Sequence, residues 1–105
     1  MKTISTRIFR EGDYVKHFKR ETINPVERPK AYLYRIICFA QETETRNEVV
    51  VYQSVETEDI WVRPLDMFLS EVDREKYPDI NQEYRFEKMT PEEVLRGMLY
   101  GIYKG

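Results

Sequence analysis

Apolar positions along this 105-residue chain follow two periods, and the changes between them mark out its elements. From Gly12 to Phe18 a turn residue opens a segment rich in β-formers, which predicts a strand. Residues 21–30 place Pro25 and Pro29 among charged side chains, a loop composition that neither a helix nor a central strand absorbs. Tyr32 to Ala40 is the strongest strand signal. Its even positions (Tyr32, Tyr34, Ile36, Cys38, Ala40) and its odd ones (Leu33, Arg35, Ile37, Phe39) are both partly apolar. Such a strand is expected to be covered on both faces or to bend. A polar stretch at 42–47 separates it from Glu48–Val55, and this short spacing predicts an antiparallel hairpin. Ile60 to Arg63 predicts a further strand, stopped by Pro64, which has no amide hydrogen to give a ladder.

Beyond Pro64 the period becomes helical: Leu65, Phe68, Leu69 and Val72 predict a short helical turn at the sheet end. Tyr84 to Glu87 reads as a last short strand. Thr90-Pro91-Glu92-Glu93 is a capping box with proline at the first helical position. The stripe Val94, Leu95, Met98, Leu99 and Ile102 then predicts a C-terminal helix lying on one sheet face. The pattern describes a mostly antiparallel β-domain with a C-terminal helix. A chain of this size hides about two thirds of its surface on folding, enough for one core.

Composition narrows the classes. Hydrophobic residues make up 41% and charged residues 34%, which argues against disorder and against membrane embedding. The longest apolar run, Ile36 to Ala40, is far short of the ~18 residues of a membrane span. With no signal-like start and a single cysteine, Cys38, the expected compartment is the cytoplasm. The net charge of −2 hides a gradient: residues 1–30 carry eight Lys/Arg against four Asp/Glu, and the remainder nine against fifteen. The basic cluster Lys16, Lys19 and Arg20, with Arg28 and Lys30, is interrupted by Glu21 and Glu27. It reads first as a solvated edge, and as the alternative nucleic-acid contact.

Catalytic chemistry has little to work with. Cys38 is the only thiol and His17 the only imidazole. Cys38 lies mid-strand, on the face expected to hold Ile36 and Ala40, where a thiol is an inert apolar group. Zinc lacks ligands, and the acidic pairs Glu42/Glu44 and Glu56/Glu58 read as solvated. No phosphate-binding glycine loop is present. No catalytic residue, metal site or cofactor is expected.

The aromatic and cationic residues are more informative. Trp61 and Arg63 share one strand parity, opposite Ile60 and Val62. If Ile60 and Val62 face the core, Trp61 and Arg63 face outward, a composition common in binding hot spots. The competing reading packs Trp61 under the C-terminal helix and pairs Arg63 with Asp66, Glu71 or Asp73. His17 reads as a partly buried strand histidine or, alternatively, as a ligand contact.

Three blocks together resemble a known family: Gly12, Tyr14, His17, Phe18 and Lys19; then Glu44-Thr45 ahead of Val50-Val51-Tyr52-Gln53; then Trp61-Val62-Arg63-Pro64-Leu65 with Met67-Phe68. Over residues 12–72, and again at Arg85-Phe86, the chain resembles the bacterial "domain of unknown function 1653". The resemblance implies a small SH3-like antiparallel β-barrel over 12–86, after an arm at 1–11 and before a helix at 90–103. It implies no catalytic residues. By analogy with SH3-like folds, the expected function is a non-enzymatic module binding a protein or peptide. Its candidate contacts are Trp61, Arg63, Tyr52, His17 and Tyr14. The alternatives are nucleic-acid binding through Lys16, Lys19 and Arg20, and a small-ligand or enzyme domain centred on His17, Tyr52 and Arg63.

Overall fold

The computed structural model describes residues 8–99, with side chains up to 97. A meander of four strands, β1 (Tyr14–His17), β2 (Leu33–Gln41), β3 (Glu48–Ser54) and β4 (Ile60–Pro64), leads into the single-turn helix α1 (Leu65–Phe68). Strand β5 (Phe86–Lys88) and helix α2 (Pro91–Leu99) follow. All neighbours are antiparallel, in the order β4-β3-β2-β1-β5. The sheet is not closed into a barrel: β4 and β5 are its two edges. Closure requires pairing of the first and last strands with a continuous stagger. Here the chain between them is spent on α1 and on a loop over 69–85 that holds one isolated bridge of its own, Glu71 to Tyr84.

Strand ends follow local chemistry. Gly12 adopts φ +88°, a left-handed value that glycine tolerates, at the turn into β1. After His17 the chain leaves the sheet in a 3-10 turn, Phe18–Thr22, rather than continuing as strand. The Pro25/Pro29 loop is strapped down by Arg20, which donates to the carbonyls of Ala31 at 2.7 Å and Pro29 at 3.0 Å.

A bulge explains why β2 is apolar at both parities. Register passes from Ile36↔Tyr52 directly to Cys38↔Val51, so the extra residue, Ile37, switches the alternation. Tyr34 and Ile36 face the core before it and Phe39 after it, while Cys38 and Ala40 turn to the opposite face with Val51 and Val49. Cys38 therefore does not share a face with Ile36, and it is only partly buried.

One sheet face carries the core: Val15, Ile36, Val50, Tyr52, Phe68 and Phe86, with Phe9, Tyr34, Phe39, Leu65 and Leu69 packed around them. Phe68 of α1 stacks on Phe86 with ring centroids 4.2 Å apart, and Phe9 meets Phe68 edge-on at 5.4 Å. The cover for this face is thus α1 and the residues after it. Helix α2 forms with the expected box: Thr90 N–H donates to Glu93 and Glu93 N–H to the Thr90 hydroxyl, at 3.0 and 3.1 Å. Of its predicted stripe, Leu95 is 60% exposed and Val94 is half-buried. A Lys16–Glu93 ion pair of 3.1 Å ties the helix to β1. The side chains of Met98 and Leu99, and residue Ile102, lie outside the described residues.

Candidate functional site

Alternation along β1 sorts its candidates. Val15 and His17 point to the core face, opposite Tyr34 and Phe86 in register, and Tyr14 and Lys16 point away. Tyr14 is therefore on the other side of the sheet from His17. On β4, Trp61 and Arg63 stand opposite Tyr52 and Val50, the two core-facing residues of β3. The parity is the reverse of the condition under which Trp61 and Arg63 would face outward. Ile60 and Val62 face away from the core, 60% and 62% exposed. Trp61 is nevertheless 52% exposed, because β4 is an edge and nothing extends the core beyond it.

Arg63 does not pair with Asp66, Glu71 or Asp73. Its Nε–H donates to the Tyr52 hydroxyl at 3.1 Å, and its guanidinium carbon lies 5.7 Å from the centre of the Phe86 ring. The same Phe86 ring receives His17 edge-on at 5.0 Å and Tyr34 at 5.8 Å. His17, Tyr34, Tyr52, Phe86 and Arg63 thus form one continuous aromatic and cationic cluster; His17, Tyr52 and Phe86 are buried, Tyr34 and Arg63 are half-buried, and the exposed Trp61 stands at its edge.

His17 is the most perturbed group. Burial, then the positive charges of Arg63, Arg85 and Lys19, push its pKa down to about 3. At neutral pH the ring carries no charge, and its Nδ1 accepts the backbone N–H of Lys19 at 3.1 Å. A neutral imidazole accepting at Nδ1 bears its proton on Nε2. Burial, and then the phenols of Tyr52 and Tyr32, raise the pKa of Tyr34, against the opposing pull of Arg63.

Three contributors to this surface escape a reading of the sequence alone: Tyr32, Tyr34 and Arg85. Tyr34 shares parity with Ile36, and hairpin pairing would have placed it beside Tyr52. Tyr32 carries a sharper signal, visible only in the structure: its φ is +59°, a left-handed conformation unfavourable for a bulky side chain. It holds this while its carbonyl accepts the His17 N–H at 3.0 Å and its ring lies 5.9 Å from the imidazole. Arg85 arrives from the loop before β5, where its Nε–H donates to the Ser70 hydroxyl at 3.1 Å. No sequence spacing links it to His17.

On the far face, Lys16, Arg20, Glu21, Glu87 and Glu93 border a shallow recess in which cations and carboxylates alternate. Glu21 accepts the backbone N–H groups of Asn81 and Gln82 at 2.8 and 2.7 Å. A phosphate chain tracking Lys16 and Arg20 would meet these acids, and Lys16 is already engaged with Glu93. The sheet also separates the thiol from the imidazole, Cys38 on one face and His17 on the other. Among the described residues no three His, Cys, Asp or Glu side chains cluster as metal ligands, and no helix is long and apolar enough to cross a membrane.

Residues 13–88 match the family model described as "Protein of unknown function (DUF1653)". The chain belongs to the DUF1653 family. The match takes in every strand and therefore the whole aromatic surface; it ends just before the capping box of α2. No curated protein and no solved structure matches this DUF1653 chain.

Proposed function

We propose that this DUF1653 domain is a non-catalytic module that binds a protein or peptide segment along β4 and the aromatic surface beside it. The observation that carries this reading is the edge itself. Ile60, Trp61 and Val62 are more than half exposed on a strand with a neighbour on one side only. Ser54 N–H donates to the Asp59 carbonyl at 2.9 Å, which sets the ladder alternation. By that alternation Trp61 bonds inward to β3, and the N–H and C=O groups of Ile60 and Val62 point outward. An extended peptide has two residues to pair with before Pro64, which offers no N–H. Its side chains on one face would then meet Trp61 and Arg63.

Tryptophan, tyrosine and arginine are the residue types that dominate interface energetics, which favours this face over the rest of the surface. An SH3-like kinship of the fold is consistent with the meander β1 to β4 and the return of β5 to the free side of β1. The test is selection from a displayed random-peptide library on the purified chain, repeated with Trp61→Ala and Arg63→Gln. Enrichment that both substitutions abolish supports the reading. Enrichment indifferent to both, or none, overturns it.

A further inference from the structure

The aromatic cluster holds positive charge that no described carboxylate pairs with. The ion pairs among the described residues engage Lys16, Arg28 and Lys88. Arg63 and Arg85 are both partly buried, and neither has a described carboxylate within ion-pair distance. Residues 1–7 and 100–105, outside the described part, contain no Asp or Glu. Glu56 acts on Tyr34 electrostatically, but its carboxylate is held by Nη2 and Nε of Arg28 at 2.6 and 3.2 Å.

A second observation points to the same place. His17 is only 8% exposed. Its Nδ1 is satisfied by Lys19, but its Nε2–H donates to no acceptor among the described residues. A buried donor left unpaired is costly and rare in native proteins. The imidazole lies 5.0 Å from the centre of the Phe86 ring, and the Arg63 guanidinium carbon lies 5.7 Å from the same centre. Arg63 and an unspent neutral donor thus gather at one aromatic ring, the positive charge of Arg85 acts on the same imidazole, and no carboxylate among the described residues pairs with either arginine.

We infer that Arg63, Arg85 and the Nε2–H of His17 form a carboxylate-binding site walled by Tyr34 and Trp61. A carboxylate fits better than a phosphate. Phosphates are commonly cradled by backbone N–H groups, and here those of His17 and Phe18 are spent on the carbonyls of Tyr32 and Arg85, at 3.0 and 3.1 Å. What remains is side-chain donors, including planar forks that match a planar carboxylate. Resting on the peptide-binding reading, the inference names an Asp or Glu of the bound segment as the source. A free aromatic acid offers the same chemistry.

The test titrates the full chain with benzoate, benzamide and phenyl phosphate, following the His17 ring and the Arg63 and Arg85 Nε–H signals by NMR. Benzoate is expected to shift all three, to bind at least about tenfold more tightly than neutral benzamide, and to weaken about tenfold in Arg63→Gln and in Arg85→Gln. Arg63→Lys keeps the charge and guards against a fold defect, as does a thermal melt of each variant. Bound benzoate should also raise the His17 pKa by offsetting the arginines. Equal binding of benzoate and benzamide, a preference for phenyl phosphate, or benzoate affinity unchanged in the glutamine variants overturns the assignment. Peptide selection separates the two readings. Benzoate binding without peptide enrichment retires the peptide and keeps the anion site; enrichment of peptides lacking Asp and Glu keeps the peptide and retires the anion.

Discussion

Arg63 reaches diagonally across the β3–β4 pair to place its Nε–H on the Tyr52 hydroxyl at 3.1 Å. Tyr52 stands opposite Trp61, two residues away from Arg63 on the same face. Diagonal neighbours in an antiparallel pair are within reach of long side chains, and this one fixes the guanidinium above the aromatic core. Tyr52→Phe keeps the ring and removes only the acceptor. It is expected to cost about 1–2 kcal/mol, as for a hydrogen bond with one charged partner. In a double-mutant cycle with Arg63→Gln, the coupling should come to about 1 kcal/mol by urea denaturation. Strict additivity would show that the bond holds nothing.

His17 makes stability depend on pH in a defined window. Above its unfolded value of 6.5 the imidazole is neutral in both states, and the fold is unaffected. Below 6.5 the unfolded chain takes up a proton that the folded one refuses until about pH 3. Unfolded chains then bind more protons, so stability falls as pH falls, by up to about 1.4 kcal/mol per pH unit. His17 is the only histidine. The slope of denaturation free energy between pH 6.5 and 5, above the range of ordinary carboxylates, should therefore vanish in His17→Gln.

Helix α2 should contribute little to global stability. Leu95 is 60% exposed, so Leu95→Ala is expected to cost less than about 0.5 kcal/mol, rather than the several kcal/mol of a buried leucine. Phe68→Ala is the contrast, since Phe68 is fully buried and stacked on Phe86; a loss of about 3–5 kcal/mol is expected. Thermal melts of both variants check the pair together. A large loss at Leu95 would mean that the helix covers more than its exposed face indicates.

Cys38 should react in the native state. It stands partly exposed on the face opposite the core, with Ala40 and Val49 beside it in the ladder. Labelling by a thiol reagent should be slower than in denatured protein and should not accelerate in mild urea, because no global opening is required. A rate that follows the unfolding equilibrium would place the thiol in the interior after all.

Local pattern carried much of this architecture. The strands around Val15, Ile36, Val50 and Val62, the hairpin between β2 and β3, the stop at Pro64 and the capping box at Thr90 each rest on residues near one another in sequence. Backbone propensity and hydrogen-bond chemistry act over that range, so such features are legible without a fold. The pairing of Trp61 with Arg63 on one face was legible for the same reason. Which face it was could not be read, since parity is relative and only packing against Phe68 and Phe86 assigns the core side. The bulge at Ile37 was hidden likewise: a one-residue switch of alternation looks the same as a strand buried on both sides. The open edges of the sheet, the exposure of Leu95 and the action of the Arg85 charge on His17 depend on contacts between distant segments. Those contacts bring the charges of two arginines to act on a buried, neutral imidazole. Tertiary packing alone settles where such charges lie, because the cost of desolvating them is offset by hydrogen bonds and ring contacts, such as those of Arg63 with Tyr52 and Phe86, that no short stretch of chain contains.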